Sequence, residues 1–168
     1  MRVLLLVALL AGLPGIILAG EFIRFEPPIF LLGPTISRSA LGATYAYRGR
    51  GEWLDSELQI TVVAPSGPGA PPLATAPPAC VEMFLDELRT RAPELFVMPS
   101  AERLRVGVLD LPQVRWTRRA NTGLTIGVTA CGSYRHRLVA VNFATSTAHA
   151  LTALPAMREQ LRQLQLDF

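Results

Sequence analysis

The sequence predicts an α+β domain in which an antiparallel β-meander sheet is packed by two helices on one face, preceded by an N-terminal signal or anchor helix. Two amphipathic segments, at residues 80–91 and near the C-terminus, indicate the helices. Short runs of alternating apolar residues, joined by turn signals, indicate the meander. The chain has 168 residues, half of them apolar and 17% charged, so it can form its own hydrophobic core.

The chain begins with an uncharged apolar run, Val3 to Ala19, directly after Met1-Arg2. A cleaved signal peptide fits this run, because Arg2 supplies the basic start and Ala19 or Gly20 a small residue before the cut. A retained membrane anchor fits it as well, since a helix of this length spans about 26 Å of a hydrocarbon core about 30 Å thick. Under both interpretations the rest of the chain is exported. It is either released into the periplasm or anchored in the inner membrane with the C-terminal domain outside the cytoplasm.

The first half of the exported part divides into three segments. Residues 21–43 contain three prolines, which remove hydrogen-bond donors, so we expect an extended lead-in or an edge segment. Two strands follow as a hairpin, Thr44 to Arg48 and Glu57 to Val63. Residues 64–79 hold six prolines and two glycines, a composition typical of a connector. The connector either separates residues 21–63 from an α+β domain at 80–168 or is a long loop within one domain, and its length favours the separation.

The predicted domain at 80–168 begins with a helix over Cys80 to Arg91 and ends with a second helix. Pro155 would lie near the start of that second helix, whose apolar stripe contains Leu154, Met157, Leu161 and Leu164. Four strands are expected between the helices, with turns at 110–112, 121–123 and 131–133: residues 104–109, 113–119, 124–130 and 134–143. The order of helix, meander and helix over residues 80–166 resembles that of PsbP- or Mog1-type domains. This is a resemblance of fold, and it implies no function.

Cys80 and Cys131 are the two cysteines of the chain. An even number of cysteines in an exported chain predicts a disulfide, which here would close a loop of about fifty residues. The chain-entropy model assigns such a bridge about 4 kcal/mol of stability. In a cytosolic protein, two buried thiols would be expected instead.

The titratable residues indicate neither a catalytic site nor a metal site. His136 and His149 belong to no cluster with the spacing of metal ligands. Cys131 could pair with either histidine as a nucleophile, but a disulfide would exclude that role. The sequence contains no phosphate-binding loop and no dinucleotide fingerprint. We therefore expect a protein that is not an enzyme and has no catalytic residues, metal or cofactor.

Arginine and aromatic residues recur on two predicted strands and suggest an interaction patch. If the ends of these strands lie close together, the residues form a positive, partly aromatic surface of the kind enriched at interfaces. The alternative is that the charges only protect an exposed sheet edge. The predicted members are Arg115, Trp116, Arg118, Arg119, Tyr134, Arg135, His136 and Arg137.

These observations favour a non-enzymatic accessory or interaction subunit, exported or membrane-anchored, that docks on a larger cell-envelope or membrane protein assembly. We expect a protein partner and, if the N-terminal helix is uncleaved, the membrane; a net charge of +3 does not indicate a nucleic-acid partner. The alternative is a soluble periplasmic domain that binds a small anionic ligand between sheet and helix, in a pocket with Arg115, Arg135 or Tyr134. A hydrolase with Cys131 as its nucleophile would require a reactive thiol.

Overall fold

The computed structural model describes residues 22–64, 77–92, 94–120 and 123–168. The predicted signal or anchor helix at 1–20 and most of the predicted connector at 64–79 lie outside these ranges. The elements follow one another in this order: β1 (Ile23–Arg24), β2 (Leu31–Ser39), β3 (Gly42–Gly49), β4 (Glu57–Val63), α1 (Pro77–Arg91), β5 (Phe96–Val106), β6 (Leu109–Ala120), β7 (Gly123–Tyr134), β8 (Arg137–Ser146), α2 (Ala150–Arg162) and β9 (Gln165–Leu166). A short 3₁₀ turn, Gly51–Trp53, lies between β3 and β4.

Seven strands form one antiparallel sheet in the order β2-β3-β4-β8-β7-β6-β5, and β1 pairs with β9 in a small second sheet. The predicted α+β class with a mainly antiparallel sheet and two helices is confirmed. The segment that contains Pro34 is the edge strand β2. The hairpin β3–β4 is not separated from the later strands, because β4 pairs with β8 from Glu57–Ala144 to Val63–Leu138. A single sheet therefore continues across the predicted boundary at 64–79.

The two helices cover opposite faces of the sheet, which corrects the prediction of two helices on one face. Side chains alternate between the faces along each strand. In β8, Val141 and Phe143 pack in one core with Met157 of α2, whereas Ala140 lies in a second core with Leu85 of α1. The periodicity of a helix shows which of its sides is buried but does not show which face of a sheet receives it. The signal in the sequence that both faces of the sheet are covered lay in β8, whose residues are buried on both faces.

Two predicted turns lie inside strands. Residues 110–112 belong to β6 and residues 131–133 to β7, and the chain instead turns at 107–108 and at 135–136. Arg135 and His136 have φ angles of 45° and 63°, in the left-handed region. Glycine and asparagine usually supply this conformation in two-residue hairpins, so the Arg-His pair gave no turn signal. The α2 helix continues through Pro155, and Met157, Leu161 and Leu164 of its predicted stripe are buried.

The hairpin turns define two ends of the sheet. The strand register brings the β2–β3, β5–β6 and β7–β8 turns to one end, which we call the Arg135 end. The β3–β4 connection, with its 3₁₀ turn, and the start of α2 lie at the opposite end, which we call the Trp53 end.

Candidate functional site

The predicted disulfide joins α1 to the sheet. Cys80 and Cys131 are bonded, with 5.9 Å between their Cα atoms, and both residues are completely buried. Val81 and Leu85 of α1 pack beside them against Trp116 in the same core. Because the Cys131 sulfur is bonded and shielded from solvent, it cannot act as a thiolate nucleophile in this oxidised form.

The eight residues of the predicted interaction patch do not form one surface. Arg115 of β6 pairs with Val128 of β7, and Tyr134 lies six residues farther along β7. At the rise of a β-strand, this separation is about 20 Å. The expectation that the two strand ends lie close together is therefore wrong, because adjacent hairpins turn at opposite ends of the sheet. Residues 115–119 lie towards the Trp53 end, and residues 134–137 lie at the Arg135 end.

The β6 residues of the predicted patch are further divided between the two faces of the sheet. Trp116 is completely buried, and its Nε1 donates a hydrogen bond of 2.9 Å to Oγ1 of Thr129. Arg118, on the same face, lies 3.6 Å from a carboxylate oxygen of Glu57. Arg115 points to the opposite face, towards α2. Trp116 is thus a core residue that cannot contact a partner.

Arg115 belongs to a polar cluster around Glu102 that ties α2 to β5 and β6. Oε2 of Glu102 accepts hydrogen bonds from Arg115 at 2.7 Å, from Arg158 at 2.8 Å and from Gln113 at 3.1 Å. The hydrogen bond from Arg158, followed by that from Arg115, lowers the pKa of the Glu102 carboxyl below its ordinary value. Sequence reasoning missed the cluster because Arg158 of α2 lies 56 residues from Glu102 in the chain.

A pocket of about 130 Å³ lies between α1 and the sheet. It contains Arg118 but none of Arg115, Arg135 and Tyr134, which the ligand-binding alternative named. The carboxylates of Glu57 and Glu87 outnumber its single guanidinium, and this charge balance does not favour an anionic ligand. The lining residues are Glu57, Gln59, Phe84, Glu87, Leu88, Arg118 and Asn142.

An aromatic stack at the Trp53 end is built from segments that also carry exposed apolar side chains. The Trp53 ring lies 4.7 Å from the Phe30 ring and 4.4 Å from the His149 ring, measured between centroids. Within two residues of these three in the chain, Ile29 is 82% exposed, Leu54 75% and Leu151 92%. We call this surface the Trp53 patch: Ile29, Phe30, Trp53, Leu54, His149 and Leu151. The sequence did not reveal it, because its members come from three separate segments.

The remaining part of the predicted patch, at the Arg135 end, includes two aromatic residues that the sequence did not associate with it. The guanidinium of Arg137 lies 4.8 Å from the ring centroid of Phe22 and 5.4 Å from that of Phe168. Arg135 lies 5.2 Å from the ring of Tyr134 and donates a hydrogen bond to the main-chain oxygen of Phe168. Basic and aromatic side chains therefore lie together at this end of the sheet, with Phe22 among them.

The two histidines lie at opposite ends of the sheet, His136 in the β7–β8 turn and His149 against Trp53. They cannot contribute to one site. Neither α1 nor α2, the helices of the described part of the chain, has the length and hydropathy needed to cross a bilayer.

No family model and no curated protein matches the chain. Among solved structures, it is similar to cyanobacterial PsbP (CyanoP) from Synechocystis sp. PCC 6803, with a TM-score of 0.59 and 13% identity over 87% of each chain. LpqN of Mycobacterium tuberculosis, a protein involved in cell envelope biogenesis, has a TM-score of 0.48 and 10% identity, over 87% of this chain and 83% of its own. The first similarity shows that the chain has the fold of PsbP, in agreement with the resemblance in element order at 80–166. At this level of identity it shows the fold alone.

Proposed function

We propose that the chain is an exported, non-enzymatic accessory protein that docks on a larger protein assembly of the cell envelope through the Trp53 patch. The observation that carries the proposal is the exposure of Ile29, Leu54 and Leu151 on the three segments that an aromatic stack joins. Exposed apolar surface of this kind is typical of interaction sites rather than of the free surface of a monomer. The stack holds Trp53 in a fixed orientation, which lowers the entropy lost when a partner binds.

The charges around the Trp53 patch favour a protein partner over a lipid surface. Arg50 and Glu52 line a hollow together with Ile29, Phe30 and Trp53, so both signs of charge border the apolar centre. Protein interfaces combine an apolar centre, often with tryptophan, and a polar rim. An anionic lipid surface would instead be matched by basic residues alone.

Two observations support export and a role other than catalysis. The Cys80–Cys131 bridge is of a kind that persists in oxidising compartments and is rare in the cytosol. It also removes the thiol that a Cys131-dependent hydrolase would require. The apolar run at 3–19 supports the same destination for the folded domain.

The proposal can be tested by site-specific photo-crosslinking of the full chain in the cells that produce it. A photoreactive amino acid is placed at Leu54 or Leu151, with Met83 on the outer side of α1 as the matched exposed control. We expect a product of defined mass from Leu54 and Leu151, containing an identified envelope protein, and its loss in the variant Trp53→Ala. Products equal to those from Met83, or products with lipid alone, would contradict the proposal.

A further inference from the structure

We infer that the Arg135 end of the sheet is a membrane-facing surface that lies on anionic lipid headgroups. The inference rests on the proposed export of the domain and adds that the apolar run at 3–19 is retained as an anchor. The surface contains Phe22, Leu41, Arg105, Val108, Arg135 and Arg137. Three observations support it: the position at which the chain enters the fold, the residues at the turn tips, and the pairing of the charges.

The point of entry keeps the Arg135 end close to any anchor formed by the apolar run. Phe22 follows Ala19 by three residues, a length of chain that spans at most about 10 Å when fully extended. Phe22 itself is fixed in the fold, since its main-chain N–H donates a hydrogen bond of 2.9 Å to the hydroxyl of Tyr45. Its ring also packs edge-on against Phe168. A helix ending at Ala19 in the bilayer would therefore hold this end of the sheet at the membrane surface.

The turns at this end carry apolar side chains at their tips. Leu41 in the β2–β3 turn is 42% exposed, and Val108 in the β5–β6 turn is 64% exposed. Hairpin tips usually carry polar or small residues, because these satisfy the turn backbone and face water. Apolar tips beside arginines instead match the composition of surfaces that insert shallowly between lipid headgroups.

Among the described residues of this end, two arginines remain available to lipid phosphates, whereas the aspartate carboxylates are paired. Among the described residues, neither Arg105 nor Arg137 has a carboxylate partner: Arg105 donates to the main-chain oxygen of Gly107, and Arg137 lies over two aromatic rings. The carboxylates of Asp110 and Asp167 are each bound by another arginine. The described residues of this end therefore present an excess of guanidinium groups, which bind phosphate oxygens well.

The orientation can be measured with the full chain reconstituted in phosphatidylcholine vesicles, with and without phosphatidylglycerol. A fluorophore is attached to Val108→Cys or, as the matched control at the other end, to Leu54→Cys. The native cysteines are bonded to each other, so the new thiol is labelled selectively. We expect a headgroup-attached nitroxide to quench the label at position 108 and not that at position 54, with a larger difference when phosphatidylglycerol is present.

The contribution of the charges is tested in the same vesicles. Each arginine at a lipid surface contributes about 1 kcal/mol, or roughly fivefold in the contact equilibrium. Arg105→Gln and Arg137→Gln should each reduce quenching at position 108 accordingly, whereas Arg50→Gln at the Trp53 end should not. Equal quenching at the two positions, stronger quenching at 54, or an intact mass showing that residues 3–19 are removed would overturn the inference. Crosslinking of a protein through Leu54 does not depend on any of these outcomes, so the docking proposal is judged separately.

Discussion

The indole ring of Trp53 packs at a tilt against the imidazole ring of His149, with 4.4 Å between the ring centroids and 36° between the ring planes. Trp53 ends the 3₁₀ turn between β3 and β4, and His149 is the N-cap residue of α2. The contact thus joins the early hairpin to the last helix of the chain. It also determines how the Trp53 patch is presented, because Leu54 and Leu151 extend from these two segments.

Replacing Trp53 with alanine should lower the free energy of unfolding by at least about 2 kcal/mol. The variant loses two ring contacts, with Phe30 and His149, and each such pair contributes about 1 kcal/mol beyond the area it buries. Chemical denaturation followed by circular dichroism measures the change. Leu54→Ala, at a side chain that is 75% exposed, serves as the control and should change stability by less than about 0.5 kcal/mol. Equal effects of the two substitutions would show that the stack contributes no stability.

Loss of the disulfide should destabilise the fold more than any single surface substitution. Cys80 and Cys131 are 51 residues apart, and a loop of that length contributes about 4 kcal/mol in the chain-entropy model. The double variant Cys80→Ala/Cys131→Ala should lose this amount in denaturation with urea. Reductant should lower the urea midpoint of the wild type to that of the variant. It should leave the midpoint of the variant unchanged. A wild-type urea midpoint that is unchanged by reductant would refute the prediction.

The buried hydrogen bonds at Thr129 should be costly to remove. Its hydroxyl accepts from Nε1 of Trp116 and donates to Oδ1 of Asn142, each at 2.9 Å. Thr129→Val preserves the shape of the side chain but leaves Nε1 of Trp116 and Oδ1 of Asn142 without this partner. The free energy of unfolding should fall by about 1–3 kcal/mol. The comparison is with Thr61→Val, whose hydroxyl bonds with Thr44 in a less buried position. A smaller loss for Thr129→Val than for Thr61→Val would contradict the argument.

Gly127 should tolerate no side chain. A Cβ atom at this position would overlap the indole ring of Trp116 on the paired strand β6. We expect Gly127→Ala to cost about 1–3 kcal/mol, because over-packing of a filled core forces shifts of side chain and backbone. Gly51→Ala is a useful comparison, since nothing lies near its Cβ position although its φ is positive. Thermal unfolding of the two variants should show a larger effect at Gly127, and the reverse order would be evidence against the packing of Trp116 described above.

Because of the Glu102 cluster, the free energy of unfolding should decrease at acidic pH. The hydrogen bonds from Arg158 and Arg115 lower the pKa of Glu102 in the folded state, so the ionised carboxylate stabilises the fold. This contribution is complete above the pKa of an unfolded glutamate, about 4.3, and is lost as the pH falls through the lower pKa of the folded state. The fall in stability below that pH should therefore be less steep in Glu102→Gln. NMR titration should show the pKa of Glu102 rising in Arg158→Gln, and an unchanged value would refute the assignment.

Much of the fold could be predicted from local patterns. The alternation of Leu58, Ile60 and Val62 gave the bounds of β4, and the stripe of Met157 and Leu161 gave the buried side of α2. These signals are local, because burial on one side of an element leaves a period in the sequence. The placement of α1 and α2 on opposite faces could not be read in this way, since it depends on which strands become neighbours. The pairing of β4 with β8 brings together segments that are separated by a helix and three strands.

The disulfide was the part of the candidate site that the sequence revealed, because two cysteines allow only one pairing. The interaction patch required knowledge of which hairpin turns share an end. Arg115 and Tyr134 appeared equivalent as members of basic, aromatic segments, yet the register of β6 and β7 separates them by about 20 Å. The Trp53 patch gave no sequence signal, since isolated residues such as Ile29 and Leu151 have no period of their own.

The central position of β8 has a consequence for how the molecule is made. Its two neighbours are β4, which precedes it by more than seventy residues, and β7, which is its hairpin partner. A chain synthesised from its N-terminus therefore carries one side of β4 unpaired until residues 137–146 have emerged. Exposed strand edges recruit other chains, and contacts between distant segments form slowly. Assistance during biogenesis would be most useful along β4, between its appearance and the arrival of β8.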